Sequence, residues 1–158
     1  GTFNSRIFGA ARKRGLAYSI FSDTSVGFYD SAWDFTGQVN LETAEELFDI
    51  IVSELKRMLN GKISAEDIES AKSYSLGRYQ MGAQTVSQIS NFYTGRYFSD
   101  DFVKDYTGVP AAILAVTDEK IVQVAREFFQ ANTWVLAGVS CGEKELLERI
   151  QEKLGALF

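Results

Sequence analysis

Histidine is missing altogether from these 158 residues, and cysteine and proline occur once each. Imidazole is the usual zinc ligand of hydrolase centres and the usual general base near neutral pH. Its absence removes the ordinary zinc centre and the ordinary nucleophile triad from this chain. Cys141 alone makes neither a disulfide within the chain nor a thiolate metal cluster, and at a strand end with no cation-rich pocket or histidine evident around it reads as an inert small side chain. No apolar run approaches the roughly 20 residues of a membrane span, and no basic-then-apolar leader opens the sequence. Cations are in the minority, 16 Lys and Arg against 21 Asp and Glu, for a net charge of -5. Nucleic acid and anionic membrane both need clustered cations over a wide surface, so neither is an expected partner.

What is present is ample material for a core, with 46% apolar and 13% aromatic residues. One domain over residues 1–158 is the natural reading of that length. Gly1 is not an initiator methionine, which suggests a piece of something larger. No compartment is legible, and the cytoplasm stands only as a default.

The chain is organised around residues 5–22, a short basic helix, a glycine stop and a strand. Ser5 is placed to cap the first turn, Ile7, Phe8 and Ala11 share a side, and Arg12, Lys13 and Arg14 crowd the last turn, where the helix dipole favours cations. Gly15 supplies the left-handed stop. Leu16, Tyr18 and Ile20 then alternate with Ala17, Ser19 and Phe21, with both faces mostly apolar, which predicts a strand inside a sheet.

Downstream, residues 23–27 offer turn chemistry, and Trp33, Phe35 and Val39 alternate with polar neighbours as the second strand of a hairpin. Asn40 caps a long helix with Leu41, Ala44, Phe48, Ile51, Leu55 and Leu59 inward, stopped by Asn60 and Gly61. Ser64 caps the next helix, and a break over 82–86 leads to one with Val86, Ile89, Phe92 or Tyr93, and Tyr97 inward. Asp100 and Asp101 can cap a further short helix. Pro110 starts a helical stretch, and Thr117, Asp118 and Glu119 open a helix with Ile121, Val124, Ala125 and Phe128 as its stripe. The short apolar run Trp134-Val135-Leu136-Ala137-Gly138-Val139 predicts a strand buried on both faces in the middle of the sheet, before a last helix with Leu146, Leu147, Ile150 and Leu154. The expected class is α+β, a small, mainly antiparallel sheet with helices layered on one face. Three strands are few for so much helix, which points to a first strand and helix supplied from upstream of Gly1, or to a strand from a partner.

Ser-Arg-Ile-Phe followed by Arg-Lys-Arg-Gly-Leu-Ala-Tyr-Ser resembles the signature of the C-terminal half-domain of the insulinase, pitrilysin and mitochondrial processing peptidase family of zinc peptidases. The likeness continues through the paired strands, the helix after Asn40, Ile63 to Lys72, Ala115 to Lys120 and the closing run before Gly142. The resemblance implies α+β half-domains around a chamber, with the zinc motif on the other half and no zinc ligand on this one. It implies a zinc-binding half-domain as partner, in the same polypeptide or another subunit, a peptide as substrate, and zinc as a cofactor of the parent only. In active members an arginine and, seven residues later, a tyrosine contact the substrate and support the tetrahedral intermediate. The tyrosine corresponds to Tyr18, and the arginine position falls on Ala11 with Arg12 beside it.

Two readings of these residues stand side by side. From the residues alone, Tyr18 aligns with Leu16 and Ile20 in a sheet, and Arg12 and Arg14 are helix-end surface charges. Under the resemblance, Tyr18 stabilises the intermediate and Arg12 and Tyr18 bind substrate. The chain is then the inactive half of a zinc endopeptidase, closing the chamber and holding peptide. The alternative is a non-catalytic binding or assembly module of the same fold, to which the missing arginine lends weight.

Overall fold

The computed structural model describes residues 5–26, 30–99, 105–130, 133–142 and 144–158. The loop at residues 2–4, Gly27 of the expected turn and the cap at Asp100 and Asp101 lie outside them. Two compact units are present, one of residues 1–61 with 122–158 and one of residues 62–121.

The first unit opens with α1 (Arg6–Lys13), which Ser5 precedes as N-cap residue without a side-chain hydrogen bond. Gly15 takes φ 67°, the left-handed stop that an L side chain rarely adopts. Strand β1 (Ala17–Val26) pairs antiparallel with β2 (Ser31–Val39). Residues 23–26 are therefore strand and not turn, because ladder pairing through Asp23 with Asp34 and Val26 with Ser31 outweighs their local turn preference. A 3₁₀ turn (Leu41–Thr43) leads into α2 (Ala44–Leu59), whose Leu47, Ile51 and Leu55 close over Ala11, Leu16 and Ile20 as the core. Ile7, Phe8, Trp33, Phe35 and Val39 pack around that cluster, as their spacing predicts. Leu47 replaces Leu41 in the stripe, since the 3₁₀ turn rotates Leu41 outward relative to α-helical phase.

Helix α6 (Asp118–Phe128) lends the first unit Ala125, while Val124 and Phe128 are exposed. Of the expected stripe Ala125 is buried and Ile121 half-buried, and Phe129 is half-buried in place of Phe128. The Arg126 guanidinium donates twice to the Leu59 carbonyl, at 3.2 and 3.0 Å, and so satisfies an orphan acceptor at the end of α2. Helix α7 (Lys144–Gly155) lies against α2, with Ile150 buried and Arg149 paired to Glu45 at 2.7 Å.

Residues 134–139 do not form the expected central strand. Among the described residues the sheet has two strands, and Val135 is 91% exposed. A short apolar run is compatible with a buried strand but supplies only half of one, because the ladder needs a neighbouring backbone. The run is pinned by side chains instead. Trp134 stacks on Phe158 at 5.4 Å, Phe158 on Phe129 at 5.6 Å, and Phe129 meets Trp33 edge-on at 5.8 Å.

The second unit carries α3 (Ala65–Met81), α4 (Val86–Ser99) and α5 (Val109–Leu114), the last with Pro110 in its first turn. Ser64 and Asp67 cap α3 reciprocally, and Thr85 and Gln88 do the same for α4. Val86 and Tyr97 are exposed and not inward as their spacing suggests, since α4 packs through Phe92 onto Tyr106 at 4.9 Å. Tyr106 also stacks on Tyr79 at 4.3 Å.

Asp105 organises the turn before α5. The Thr107 hydroxyl and amide, and then the Tyr93 hydroxyl, donate to its carboxylate and hold its pKa below the ordinary 3.8. A depressed carboxyl pKa stabilises the fold above the unfolded value and loses that contribution as pH falls through the folded one. Protection of the Thr107 amide, its exchange rate relative to that of the unfolded chain at the same pH, is therefore expected to hold down to about pH 4 and to fall below it. Asp105→Asn should flatten this profile, and a wild-type profile already flat would show that the carboxylate does not hold the turn.

Candidate functional site

Tyr18 stands where β1 departs from regular pairing. Ala17 faces Val39 and Ser19 faces Gln38, so three residues of β1 run against two of β2 and Tyr18 is the extra one. A bulge of this kind bends the strand and re-aims a side chain. Leu16 is 2% exposed and Ile20 8%, whereas Tyr18 is 88% exposed. Tyr18 is thus not aligned with Leu16 and Ile20, and simple alternation fails at this residue. Phe21 is exposed too, so β1 is a half-covered strand and not an interior one.

The bulge borders an open cleft of about 380 Å³ lined by the segment from Gly15 to Tyr18 on one side and by Gln38, Val39 and Asn40 on the other. Its walls are held from behind. The Thr43 hydroxyl donates to the Leu16 carbonyl at 3.2 Å, joining the start of β1 to the turn after β2. Arg14 pairs with Glu46 at 3.0 Å across the same junction, on the surface, where such a pair is worth little. The cleft thus combines a phenol, which both donates and accepts hydrogen bonds, with the amides of Gln38 and Asn40 and exposed backbone.

Arg12 is exposed on the last turn of α1 and is not among the residues that line the cleft. Ala11 is 0% exposed and belongs to the core. Consecutive helical residues differ by about 100° in direction, so the position facing the core and the position bearing the arginine are distinct here. The chain has no histidine, and among the described residues no group of three Cys, Asp or Glu side chains converges. Cys141 is exposed.

Residues 1–74 match the family model described as the Peptidase M16 inactive domain. The match takes in helix α1, the hairpin, α2 and the start of α3, and agrees with the resemblance to a C-terminal half-domain of that metallopeptidase family. A protease from Helicobacter pylori superposes with a TM-score of 0.66 at 20% identity, over 80% of this chain and 31% of that one. A conserved protein from Enterococcus faecalis V583 gives the same TM-score and identity, over 80% of this chain and 29% of its own. These likenesses establish the α+β fold, and the chain spans under a third of either structure. No curated protein matches it.

Thr43 and Gly37 are the site-region residues that the sequence reading passed over. An isolated glycine inside a strand pattern is a signal for a bulge, and Gly37 is one.

Proposed function

We propose that this chain is the non-catalytic half of a zinc peptidase, closing one side of a chamber and holding an extended peptide at the Tyr18 cleft. Zinc belongs to a homologous half-domain, in the same polypeptide or a partner subunit. The observation that carries this reading is Tyr18 itself. A tyrosine between two core residues has been turned out by a bulge into an open cleft. Tyrosine fits the task because its hydroxyl donates to an oxygen that gains negative charge, and such a donor acts only if it is already in place. The same reading gives the unpaired run at residues 134–139 a neighbour, a strand from another part of the assembled protein.

The test is Tyr18→Phe in the complete, zinc-loaded protein. Loss of a charge-stabilising donor lowers kcat by roughly 100- to 1000-fold in well-studied sites, and a fall of at least about tenfold is expected here, with an unchanged melting temperature. Unchanged turnover removes Tyr18 from the reaction. A second reading, a binding or assembly module that has lost cleavage, is favoured by the buried Ala11 at the arginine position. It predicts peptide binding by the complete protein without hydrolysis even after zinc is restored.

A further inference from the structure

Gly37 lies in β2 opposite Ile20, one step from the place where β1 carries its extra residue. A β carbon at this position would stand 2.5 Å from the Ser19 carbonyl oxygen and 3.4 Å from Ile20 Cα. The first distance is far inside van der Waals contact. The atom it meets is backbone, so no side-chain rotation relieves it. The Ser19 carbonyl sits over Gly37 just where the bulge brings β1 back into register, and only a residue without a side chain leaves that space open.

We propose that Gly37 is a positioning residue for Tyr18: by admitting the Ser19 carbonyl it fixes the bulge, and through the bulge the outward aim of the phenol. The alternative arrangement is defined by the neighbours. Without the extra residue, strict alternation would place Tyr18 on the same face as Leu16 and Ile20, in a core already filled by Leu47, Ile51 and Leu55. Gly37 thus decides whether residue 18 belongs to the cleft or to the interior. The Thr43 hydroxyl, holding the Leu16 carbonyl, fixes the strand on the other side of the bulge. The inference rests on the proposed role of Tyr18 for its functional meaning only; the geometry stands apart from it.

Gly37→Ala in this chain is expected to abolish the Ser19 to Gln38 cross-strand contacts seen by nuclear magnetic resonance. It should also lower nitration of Tyr18 by tetranitromethane, followed by mass spectrometry, at least threefold. Thr36→Ala, an exposed neighbour on β2, should change neither. If Gly37→Ala folds poorly, deletion of residue 18 in the same background should raise its melting temperature. Removing the bulged residue relieves that clash and would not relieve a general loss of strand propensity. In the complete peptidase, Gly37→Ala and Tyr18→Phe should lower kcat non-additively, the double variant being no slower than the worse single one. Unchanged register and nitration in Gly37→Ala, additive losses, or a deletion that fails to rescue would each overturn the proposal. A silent Tyr18→Phe would sink the catalytic reading while leaving the register and nitration results to decide this one.

Discussion

Ala11→Arg is expected to unfold the first unit and not to restore a substrate contact. Ala11 is fully enclosed by the cluster of Leu16, Ile20, Leu47, Ile51 and Leu55. A guanidinium cannot escape burial by losing its proton, and the effective penalty for an unpaired buried ion is several kcal/mol. Overpacking adds about 1–3 kcal/mol. Set against a usual total of about 5–15 kcal/mol for a native domain, the sum leaves little or no folded population. Urea titration followed by Trp33 and Trp134 fluorescence should show a transition shifted to very low urea or lost. Lys13→Ala, two residues on and exposed, should move it by less than about 0.5 kcal/mol. A stable, cooperatively unfolding Ala11→Arg protein would mean that α1 can rotate to expel residue 11, and the buried alanine would no longer speak for lost catalysis.

The second large effect belongs to Leu16→Ala. Leu16 is 2% exposed, follows the left-handed Gly15, and offers its carbonyl to Thr43, so it anchors the strand from which Tyr18 projects. Truncating a buried leucine costs about 2–5 kcal/mol, the upper part where the surroundings cannot collapse into the gap. Here they include α1, β1 and α2 at once, and a loss near 3–4 kcal/mol within that range is expected. The urea midpoint should fall with the denaturant slope unchanged, as it does when the native state loses packing and the unfolded state stays the same. A loss under about 1 kcal/mol would show that the site collapses readily, and that the root of the cleft is softer than its burial implies.

Much of the fold could be read from local chemistry. The Ser64 cap, the Asn60 and Gly61 stop and Pro110 at a helix start all depend on groups a few residues apart, and each stands where the sequence puts it. The same holds for α1, where Ala11 faces the core and Gly15 ends the helix. Misreadings came where a partner distant in sequence decides. Residues 23–26 carry turn residues yet lie in a ladder, because their partners over 31–34 outweigh local preference. Residues 134–139 carry the right residues for a buried strand, yet among the described residues the sheet holds only β1 and β2.

The sequence by itself determined that this chain builds no histidine-based metal centre, that a basic helix, a glycine stop and an apolar strand follow one another, and that the family resemblance rests there. Those properties are set by residue type and by neighbours within one or two helical turns. Only the tertiary structure decided where Tyr18 points. The period of two along a strand assigns it to the core, and the extra residue opposite β2, accommodated at Gly37, assigns it to the cleft. A bulge belongs to a pair of strands, so neither strand alone could have disclosed it.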